Sequence, residues 1–166
     1  MIQLAKKSEI PEILKLTAAC AQNMVEQGIY QWNESYPSLQ AFERDIERGE
    51  LYLLQGDQDI VGIIVISSYM DMEYFSIPWL TPNHNNRYIH RLAVHPKHQK
   101  KGYGKILMDF AEEYAANQGS VSVRLDTFSQ NTRNNTFYKS RGYQKVGSIF
   151  FPKQSEHPFI CYELKL

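Results

Sequence analysis

The stretch RYIHRLAVHPKHQKKGYGK, residues 87–105, decides the expected fold of this 166-residue chain. Its first part, residues 88–94, has the apolar content of a buried strand and is stopped by Pro96. A basic turn with two glycines follows at residues 99–104, and an amphipathic helix begins after it. Glycine allows a ligand to approach the backbone closely, and the start of a helix presents unpaired N–H groups at the positive end of its dipole. The stretch therefore predicts a binding site for a phosphate-bearing molecule.

The composition predicts one domain that binds neither nucleic acid nor membranes. At 166 residues the chain is long enough to bury a core without metals or cross-links. Its 18 basic and 18 acidic residues balance, whereas nucleic acid and anionic membranes select a strongly basic face. The sequence shows no signal-peptide pattern and no apolar run near the roughly 20 residues of a membrane span. We therefore expect residues 1–166 to form a single cytoplasmic domain.

The periodicity of the apolar residues predicts a mixed α/β fold, with about seven strands and with helices on both faces of the sheet. Ser8, Ser38 and Asn131 are placed to cap helices. Strands are expected at residues 2–5, 51–55, 60–67, 69–77, 88–94, 121–127, 143–151 and 159–164. Of these candidates, residues 69–77 have the weakest alternation. The helix that follows the turn is expected to bury Ile106, Leu107, Phe110, Ala111, Tyr114 and Ala115.

Two segments carry a resemblance to a known family. In the turn, Gln99, Gly102 and Gly104 fill the specified positions of the pattern (Arg or Gln)-x-x-Gly-x-(Gly or Ala). Downstream, NTRNNTFYKSRGY at residues 131–143 is similar to Asn-x-x-Ala-x-x-(Leu or Phe)-Tyr-x-x-x-Gly-(Phe or Tyr), with Asn134 in place of the commoner small residue. The two patterns, in this order and separated by a helix and a strand, resemble the GNAT superfamily of N-acetyltransferases over essentially the whole chain.

This resemblance implies the GNAT fold and acetyl-CoA as cosubstrate. In that fold the strands expected at residues 88–94 and 121–127 run parallel but splay apart at one end, where the pantetheine arm enters. The pyrophosphate is expected at the backbone N–H groups of the turn, although its lysines fit a solvated basic turn as well. Asn131 is expected to bind pantetheine, to cap its own helix, or both. The implied cofactor-binding residues are Leu92, Ala93, Val94, Gln99, Lys100, Lys101, Gly102, Tyr103, Gly104, Lys105, Asn131, Asn134 and Tyr138.

Tyr138, Glu73 and His90 are the candidate catalytic residues. Transfer of an acetyl group from a thioester to an amine expels a thiolate, for which a phenol is a suitable acid. The tyrosine that matches Tyr138 lies beside the thioester sulfur in the family, which implies that it is this acid; packing beneath the cofactor is the alternative. The amine must lose a proton before it attacks, and Glu73, His90 or a water chain are the candidate acceptors. No pair of histidines or cysteines has metal-ligand spacing, so no metal is expected.

The acceptor is expected to be a primary amine of a small molecule or a peptide. Residues 29–37 shape the acceptor pocket in the family, although a loop folded onto the core explains their aromatic content equally well. The carboxylates available are Glu34, Asp71 and Glu73, which are few for a polycationic acceptor. We expect direct transfer in a ternary complex; a CoA-binding sensor without transfer activity and a transferase for another acyl group are the alternatives, and a homodimer is common in the family. The substrate-binding residues are expected to be Tyr30, Trp32, Tyr36 and Glu73.

Overall fold

The computed structural model describes residues 1–33 and 36–166. Glu34, which was expected among the acceptor carboxylates, and Ser35 lie outside the described residues. Four helices are present: α1 Ile10–Glu26, α2 Leu39–Glu47, α3 Tyr103–Asn117 and α4 Thr132–Ser140. The strands are β1 Ile2–Leu4, β2 Leu51–Gln55, β3 Ile60–Ser67, β4 Asn86–Val94, β5 Ser122–Phe128, β6 Gln144–Ile149 and β7 Phe159–Lys165.

The seven strands form one mixed sheet in the order β1-β2-β3-β4-β5-β7-β6, which confirms the predicted fold class. Antiparallel pairs join β1 to β2, β2 to β3, β5 to β7 and β6 to β7. β4 and β5 are parallel, and their register runs from Asn86 opposite Ser122 to Ile89 opposite Leu125. β4 itself continues to Val94. The parallel direction of this pair is as expected, and the splaying of its ends stays a prediction.

Along the chain, the residues group into two compact units. The first unit contains Met1–Ile66 and Arg91–Ala111, and the second contains Ser67–His90 and Glu112–Leu166. The first residues of β4, up to His90, thus belong to the second unit, and the remainder of the strand belongs to the first. That residues 1–166 form a single domain stays a prediction.

The strand expected at residues 69–77 was a wrong prediction. Met72–Ser76 forms a 3₁₀ turn, in which the N–H of Tyr74 donates to the carbonyl of Asp71 at 3.0 Å. Hydrogen bonds of this kind close the backbone on itself, so its polar groups are not available for a neighbouring strand. The apparent alternation does not mark a buried face either, because the Met72 side chain is 83% exposed.

Helix starts agree with the predicted caps in two of three places. The Ser38 side chain accepts a hydrogen bond from the backbone N–H three residues ahead, at 3.1 Å, and so caps α2 as predicted; Asn131 is described with the site below. The Ser8 prediction was wrong, because Ser8 lies inside a 3₁₀ turn, Lys7–Glu9, that precedes α1. There the Glu9 carboxylate accepts from the Lys6 backbone N–H at 2.7 Å, so the acidic side chain satisfies the free donor instead.

The buried face of α3 is rotated slightly from the predicted one. Ile106 is 44% exposed, whereas Met108, which was not predicted as buried, is fully buried. Leu107, Ala111 and Ala115 are buried as expected. Sequence spacing alone does not separate adjacent candidates on a helix whose apolar stripe is broad.

Arg91 has an unusual backbone for a strand residue and a strongly held side chain. Its φ is 49°, in the left-handed region that costs a non-glycine residue about 1–3 kcal/mol. Its guanidinium binds Asp45 of α2 through Nε at 2.8 Å and Nη2 at 2.6 Å, and Nη1 donates to the Tyr36 hydroxyl at 3.1 Å. Burial raises the pKa of the Asp45 carboxyl, and the contacts with Arg91 oppose that rise. The guanidinium therefore gives this buried carboxyl a counter-ion and opposes the effect of burial on its pKa.

Asp45→Ala is expected to lower the free energy of unfolding by about 3–5 kcal/mol, because it leaves the Arg91 guanidinium buried without its counter-ion. Glu47→Ala on the same helix is the matched control. Glu47 pairs with Lys7 at 3.1 Å, but both side chains are exposed, so its loss is expected to cost less than about 1 kcal/mol. Urea unfolding of both variants measures the difference, and equal losses would contradict the importance of the buried pair.

Candidate active site

The turn at residues 99–104 in the first unit has the backbone that its glycines predicted. Gly102 has φ 86° and Lys100 has φ 64°, and α3 begins directly afterwards at Tyr103. The side-chain amide of Gln99 donates to the carbonyl of Val94 at 3.0 Å, so this side chain connects the turn to the end of β4. Two left-handed positions separated by one residue give a turn whose backbone amides are not used in a regular helix.

The backbone N–H groups of this turn are free to bind a ligand. Within the part of the chain that the structure describes, no N–H group of residues 100–105 donates to a carbonyl; the first helical bond runs from Ile106 to Gly102, at 3.1 Å. Lys100 and Lys101 are exposed, and Lys105 forms an exposed pair with Asp109 at 2.6 Å. Free amides at a helix start with lysines close by can bind an anion such as a pyrophosphate.

The last residues of β4 are packed tightly in the first unit. A Cβ added to Gly62 of β3 would lie 2.8 Å from the carbonyl oxygen of Ala93, so only glycine allows this approach. Ala93 is buried, while Leu92 and Val94 are half-buried. The carbonyl of Val94 also accepts from the Cys20 thiol at 3.3 Å. These contacts fix the backbone segment that is expected to pair with pantetheine, and that pairing stays a prediction.

Asn131 and Asn134 lie at the start of α4 in the second unit. The buried Asn131 side chain accepts from the backbone N–H of Asn134 at 3.1 Å, which confirms the predicted cap. The Asn134 side chain donates to the Thr127 hydroxyl of β5 at 3.4 Å. The residue that departs from the family pattern thus ties α4 to β5, and a small residue would not.

Tyr138 is buried in α4, with 5% of its surface exposed. Its ring packs against those of Phe137, Tyr143 and Tyr162, with centroid distances of 5.2, 5.8 and 6.2 Å. Burial raises the pKa of the Tyr138 hydroxyl, and the negative charge of Asp126 raises it further. The hydroxyl is therefore protonated at neutral pH.

Among the buried tyrosines of the second unit that the structure describes, Tyr138 differs in having no hydrogen-bond partner for its hydroxyl. The partners of the others are Asp126 for Tyr74 at 2.5 Å, Arg124 for Tyr88 at 3.2 Å, Glu112 for Tyr143 at 3.1 Å and Asn135 for Tyr162 at 2.6 Å. The Tyr138 oxygen is not among the buried side-chain atoms that lack a hydrogen bond, so the hydroxyl end of this largely buried side chain is accessible. Tyr138 thus holds a proton that a ligand can accept.

The two predicted bases lie in the second unit and differ in surroundings. Glu73 is an exposed residue of the 3₁₀ turn. The His90 ring is half-buried, with its centroid 6.4 Å from that of Tyr74. Which of the two acts as the base stays a prediction.

Asp126 is a titratable group in the same unit that the sequence did not single out. Its Oδ2 accepts the short bond from Tyr74, and burial, with smaller contributions from Asp71 and Glu73, raises the pKa of its carboxyl to about 6. The sequence placed it only within the strand expected at residues 121–127. In the structure, all the other residues of β5 are buried, and Asp126 is half-buried.

Arg124 is a second residue that the sequence did not single out, and its side chain is completely buried. Its Nε binds Glu163 of β7 at 2.8 Å, and its Nη2 donates to the carbonyl of Thr81 at 2.7 Å. Nη1 donates to the side chain of Asn83 at 2.7 Å. This network holds the polar loop that precedes β4 against the sheet of the second unit.

The expected acceptor residues are divided between the surface and the core. Tyr30 is exposed, whereas Trp32 is only 6% exposed and belongs to the hydrophobic core of the first unit. The Tyr36 hydroxyl is occupied by Arg91. Their role in substrate binding stays a prediction, and for Trp32 the packing role is evident.

The described residues contain neither a metal-binding cluster of side chains nor a helix that could span a membrane. No group of three or more His, Cys, Asp or Glu side chains that could hold a metal ion occurs there. None of the described helices has both the length and the apolar character that crossing a membrane requires.

Comparison with known families gives a match over most of the chain. The profile of the acetyltransferase (GNAT) family matches residues 11–143. The chain belongs to this family. A related protein, the uncharacterized N-acetyltransferase YesJ of Bacillus subtilis (strain 168), is 22% identical over 139 residues, which cover 82% of this chain and 77% of that protein.

Solved structures of GNAT proteins share the fold of this chain. A GNAT-family acetyltransferase from Streptococcus agalactiae 2603 superposes with a TM-score of 0.81 at 20% identity, over 100% of this chain and 95% of the other. The PaiA N-acetyltransferase from Thermoplasma acidophilum, solved in complex with coenzyme A, has a TM-score of 0.73 at 18% identity, over 100% and 98% of the two chains.

The raised pKa of Asp126 predicts a pH-dependent stability. Because the folded chain holds this proton more tightly than the unfolded chain, the stabilisation is complete below pH 3.8 and is lost as the pH rises through about 6. Asp126→Asn should therefore gain stability relative to the wild type between pH 4 and pH 8, by up to about 3 kcal/mol. Urea unfolding at both pH values measures this gain.

Asp57→Asn is the control for that measurement, because Asp57 is an exposed aspartate in the turn between β2 and β3. Its stability difference from the wild type should be the same at both pH values. A pH-independent difference for Asp126→Asn as well would contradict the raised pKa.

Proposed function

We propose that this chain transfers the acetyl group of acetyl-CoA to a primary amine of a small molecule or a peptide. The transfer is direct, in a ternary complex of enzyme, acetyl-CoA and amine, without a covalent enzyme intermediate. The observation that carries the proposal is Tyr138, whose ring is buried while its accessible hydroxyl has no hydrogen-bond partner among the described residues. Membership of the acetyltransferase (GNAT) family supports the same reaction class.

Tyr138 acts on the leaving group. When the amine attacks the thioester and the tetrahedral intermediate collapses, the sulfur leaves as a thiolate that must be stabilised and protonated. The Tyr138 hydroxyl donates a hydrogen bond and then its proton to this sulfur. Its raised pKa ensures that the proton is present at neutral pH.

Acetyl-CoA binds through backbone groups more than through side chains. In the first unit, the free N–H groups of residues 100–105 bind the pyrophosphate, Lys100, Lys101 and Lys105 add positive charge, and the backbone of residues 92–94 pairs with pantetheine. In the second unit, Asn131 and Asn134 contribute amide groups toward the pantetheine arm. The coenzyme A bound by the PaiA protein, which has the same fold, supports the choice of cosubstrate.

Tyr138→Phe should lower kcat by about 100-fold or more, which is the usual contribution of a general acid, and leave the Kd for coenzyme A within about threefold. Thiol release with an amine panel measures kcat, and calorimetry measures Kd. Stability should be unchanged, because the hydroxyl has no partner to lose.

Tyr162→Phe is the matched control: it removes another buried hydroxyl, but one that donates to Asn135 at 2.6 Å. It should cost about 1 kcal/mol of stability and little activity. If Tyr138→Phe loses kcat and coenzyme affinity equally, Tyr138 packs beneath the cofactor. Binding of acetyl-CoA without turnover by the wild type would favour a CoA-binding sensor, and turnover with longer acyl-CoA only would indicate another acyl group.

Gly104→Val tests the pyrophosphate contact. Gly104 lies in the first turn of α3, and a branched side chain there would obstruct the approach of a phosphate to the free amides. Coenzyme A affinity should fall at least about tenfold, or 1.4 kcal/mol. Ala116→Val introduces the same side chain at an exposed position of the same helix, outside the turn, and should leave the affinity unchanged. Equal affinities in calorimetry for both variants and the wild type would refute the contact.

A further inference from the structure

We propose that Asp126 accepts the proton from the ammonium form of the acceptor, and that Tyr74 positions its carboxylate. The acceptor is accordingly a basic amine that arrives protonated, such as an alkylamine, and not an aromatic amine that is neutral at pH 7. This inference rests on the proposed acetyl transfer and adds to it the substrate class and the base.

The first observation is that one oxygen of Asp126 is held and the other is available. Oδ2 accepts from the Tyr74 hydroxyl at 2.5 Å, whereas Oδ1 accepts no hydrogen bond from the residues that the structure describes. Asp126 as a residue is half-buried, and Oδ1 is not among the buried side-chain oxygens that lack a hydrogen bond, so this oxygen is accessible to a ligand. One fixed oxygen and one open oxygen are what a positioned proton acceptor requires.

Tyr74 itself is immobilised. It is fully buried, the Trp79 indole N–H donates to its backbone carbonyl at 2.9 Å, and its ring lies 5.1 Å from that of Trp79 and 5.8 Å from that of Tyr88. A side chain held on several sides keeps its hydroxyl, and hence the Asp126 carboxylate, in one orientation.

The second, independent observation is the Tyr138 hydroxyl. The Tyr138 side chain is 5% exposed, and its hydroxyl has no partner among the described residues. Its ring lies 6.2 Å from that of Tyr162, which pairs in the sheet with Leu125, the residue before Asp126. The Asn134–Thr127 bond ties α4 to the residue of β5 that follows Asp126. The second unit thus brings together one free acid and one free base, the two groups that acetyl transfer from a thioester needs.

The charges around Asp126 favour a cationic acceptor. Asp71 and Glu73 are exposed acidic residues whose negative charges contribute to the raised pKa of Asp126. This assigns Glu73 to attraction of the ammonium, and Asp126 to the proton transfer. The titratable groups around Asp126, from the 3₁₀ turn, α4 and β7, are Asp71, Glu73, Tyr74, Tyr138 and Cys161.

The protons balance in this scheme. The ammonium gives its first proton to Asp126, and the free amine attacks the thioester carbon. As the carbon–sulfur bond breaks, Tyr138 donates its proton to the departing thiolate, and the second proton of the nitrogen replaces it on the Tyr138 oxygen. The products are the amide and coenzyme A thiol, and Asp126 releases its proton to solvent.

The test is the pH dependence of kcat/KM for Asp126→Asn with an alkylamine that the wild type acetylates. Between pH 7 and pH 9 the wild type should change little, because its base is ionised. The variant depends on the small fraction of free amine, so its kcat/KM should be about 100-fold lower at pH 7 and should increase about tenfold per pH unit. Tyr74→Phe, which only releases the carboxylate, should lose less at pH 7 and keep the wild-type profile.

Coenzyme A affinity within threefold of the wild type shows that the Asp126→Asn site is intact, and Asp57→Asn is the control for removing a carboxylate. If kcat/KM of Asp126→Asn is reduced by the same factor at every pH, Asp126 has a structural role and the inference is overturned. A wild type that acetylates only neutral aromatic amines also overturns it. The proposed acetyl transfer stands in both cases. A wild type that acetylates no amine overturns the proposed function itself.

Discussion

The buried ion pair between Arg91 and Asp45 is the constraint on which the cofactor segment of the first unit depends. Arg91 adopts a left-handed backbone in the middle of β4, which no regular strand residue does without compensation. Two short bonds to Asp45 and a third to Tyr36 hold it there. The backbone of residues 92–94 follows directly, so its direction is set by this anchor. Gly62 then allows close packing against Ala93, which keeps the segment in place.

In the second unit, the lack of a hydrogen bond at the Tyr138 hydroxyl is more informative about function than the hydrogen bonds that are formed. The hydroxyls of the other buried tyrosines all have hydrogen-bond partners within the chain: Tyr74, Tyr88, Tyr143 and Tyr162. The fold is therefore able to provide a partner for a buried tyrosine. Tyr138, which packs among them, has a hydroxyl without such a bond in the part of the chain described here. Packing alone would be served as well by phenylalanine. The hydroxyl without a partner therefore supports the proposed role of Tyr138 toward a bound ligand.

The sequence predicted the parts of this structure that depend on local rules. The turn at residues 99–104, the caps at Ser38 and Asn131 and the closing pair of strands follow from glycine conformations, capping and alternation. It failed where tertiary contacts decide. Residues 69–77 alternate as a strand does, but the buried Tyr74 donates a hydrogen bond to Asp126, which is 52 residues away in the sequence. No local pattern contains that information.

The same limit applies to the polar residues of β5. Their alternation with apolar residues predicted the strand but not their surroundings: β5 lies between β4 and β7 within the sheet, and Arg124 is completely buried against Glu163. Its side chain is bound by residues from two distant segments, β7 and the loop before β4. A sequence shows that such residues are polar, but it does not show which distant residues bind them.

Burial has opposite chemical consequences for Tyr138 and Asp126, although it shifts the pKa of both upward. For the phenol, the shift keeps the proton in place; in the proposed transfer it would be given up only to the developing thiolate. For the carboxyl, a pKa of about 6 leaves the group largely ionised at neutral pH while making it a stronger base than an exposed aspartate. Each charge also opposes the other: ionised Asp126 disfavours loss of the Tyr138 proton. In the proposed transfer, a proton taken by Asp126 from the ammonium would end that opposition, so Tyr138 would be the better acid at the step where the thiolate leaves. Proton acceptance at Asp126 would thus favour the later proton donation by Tyr138.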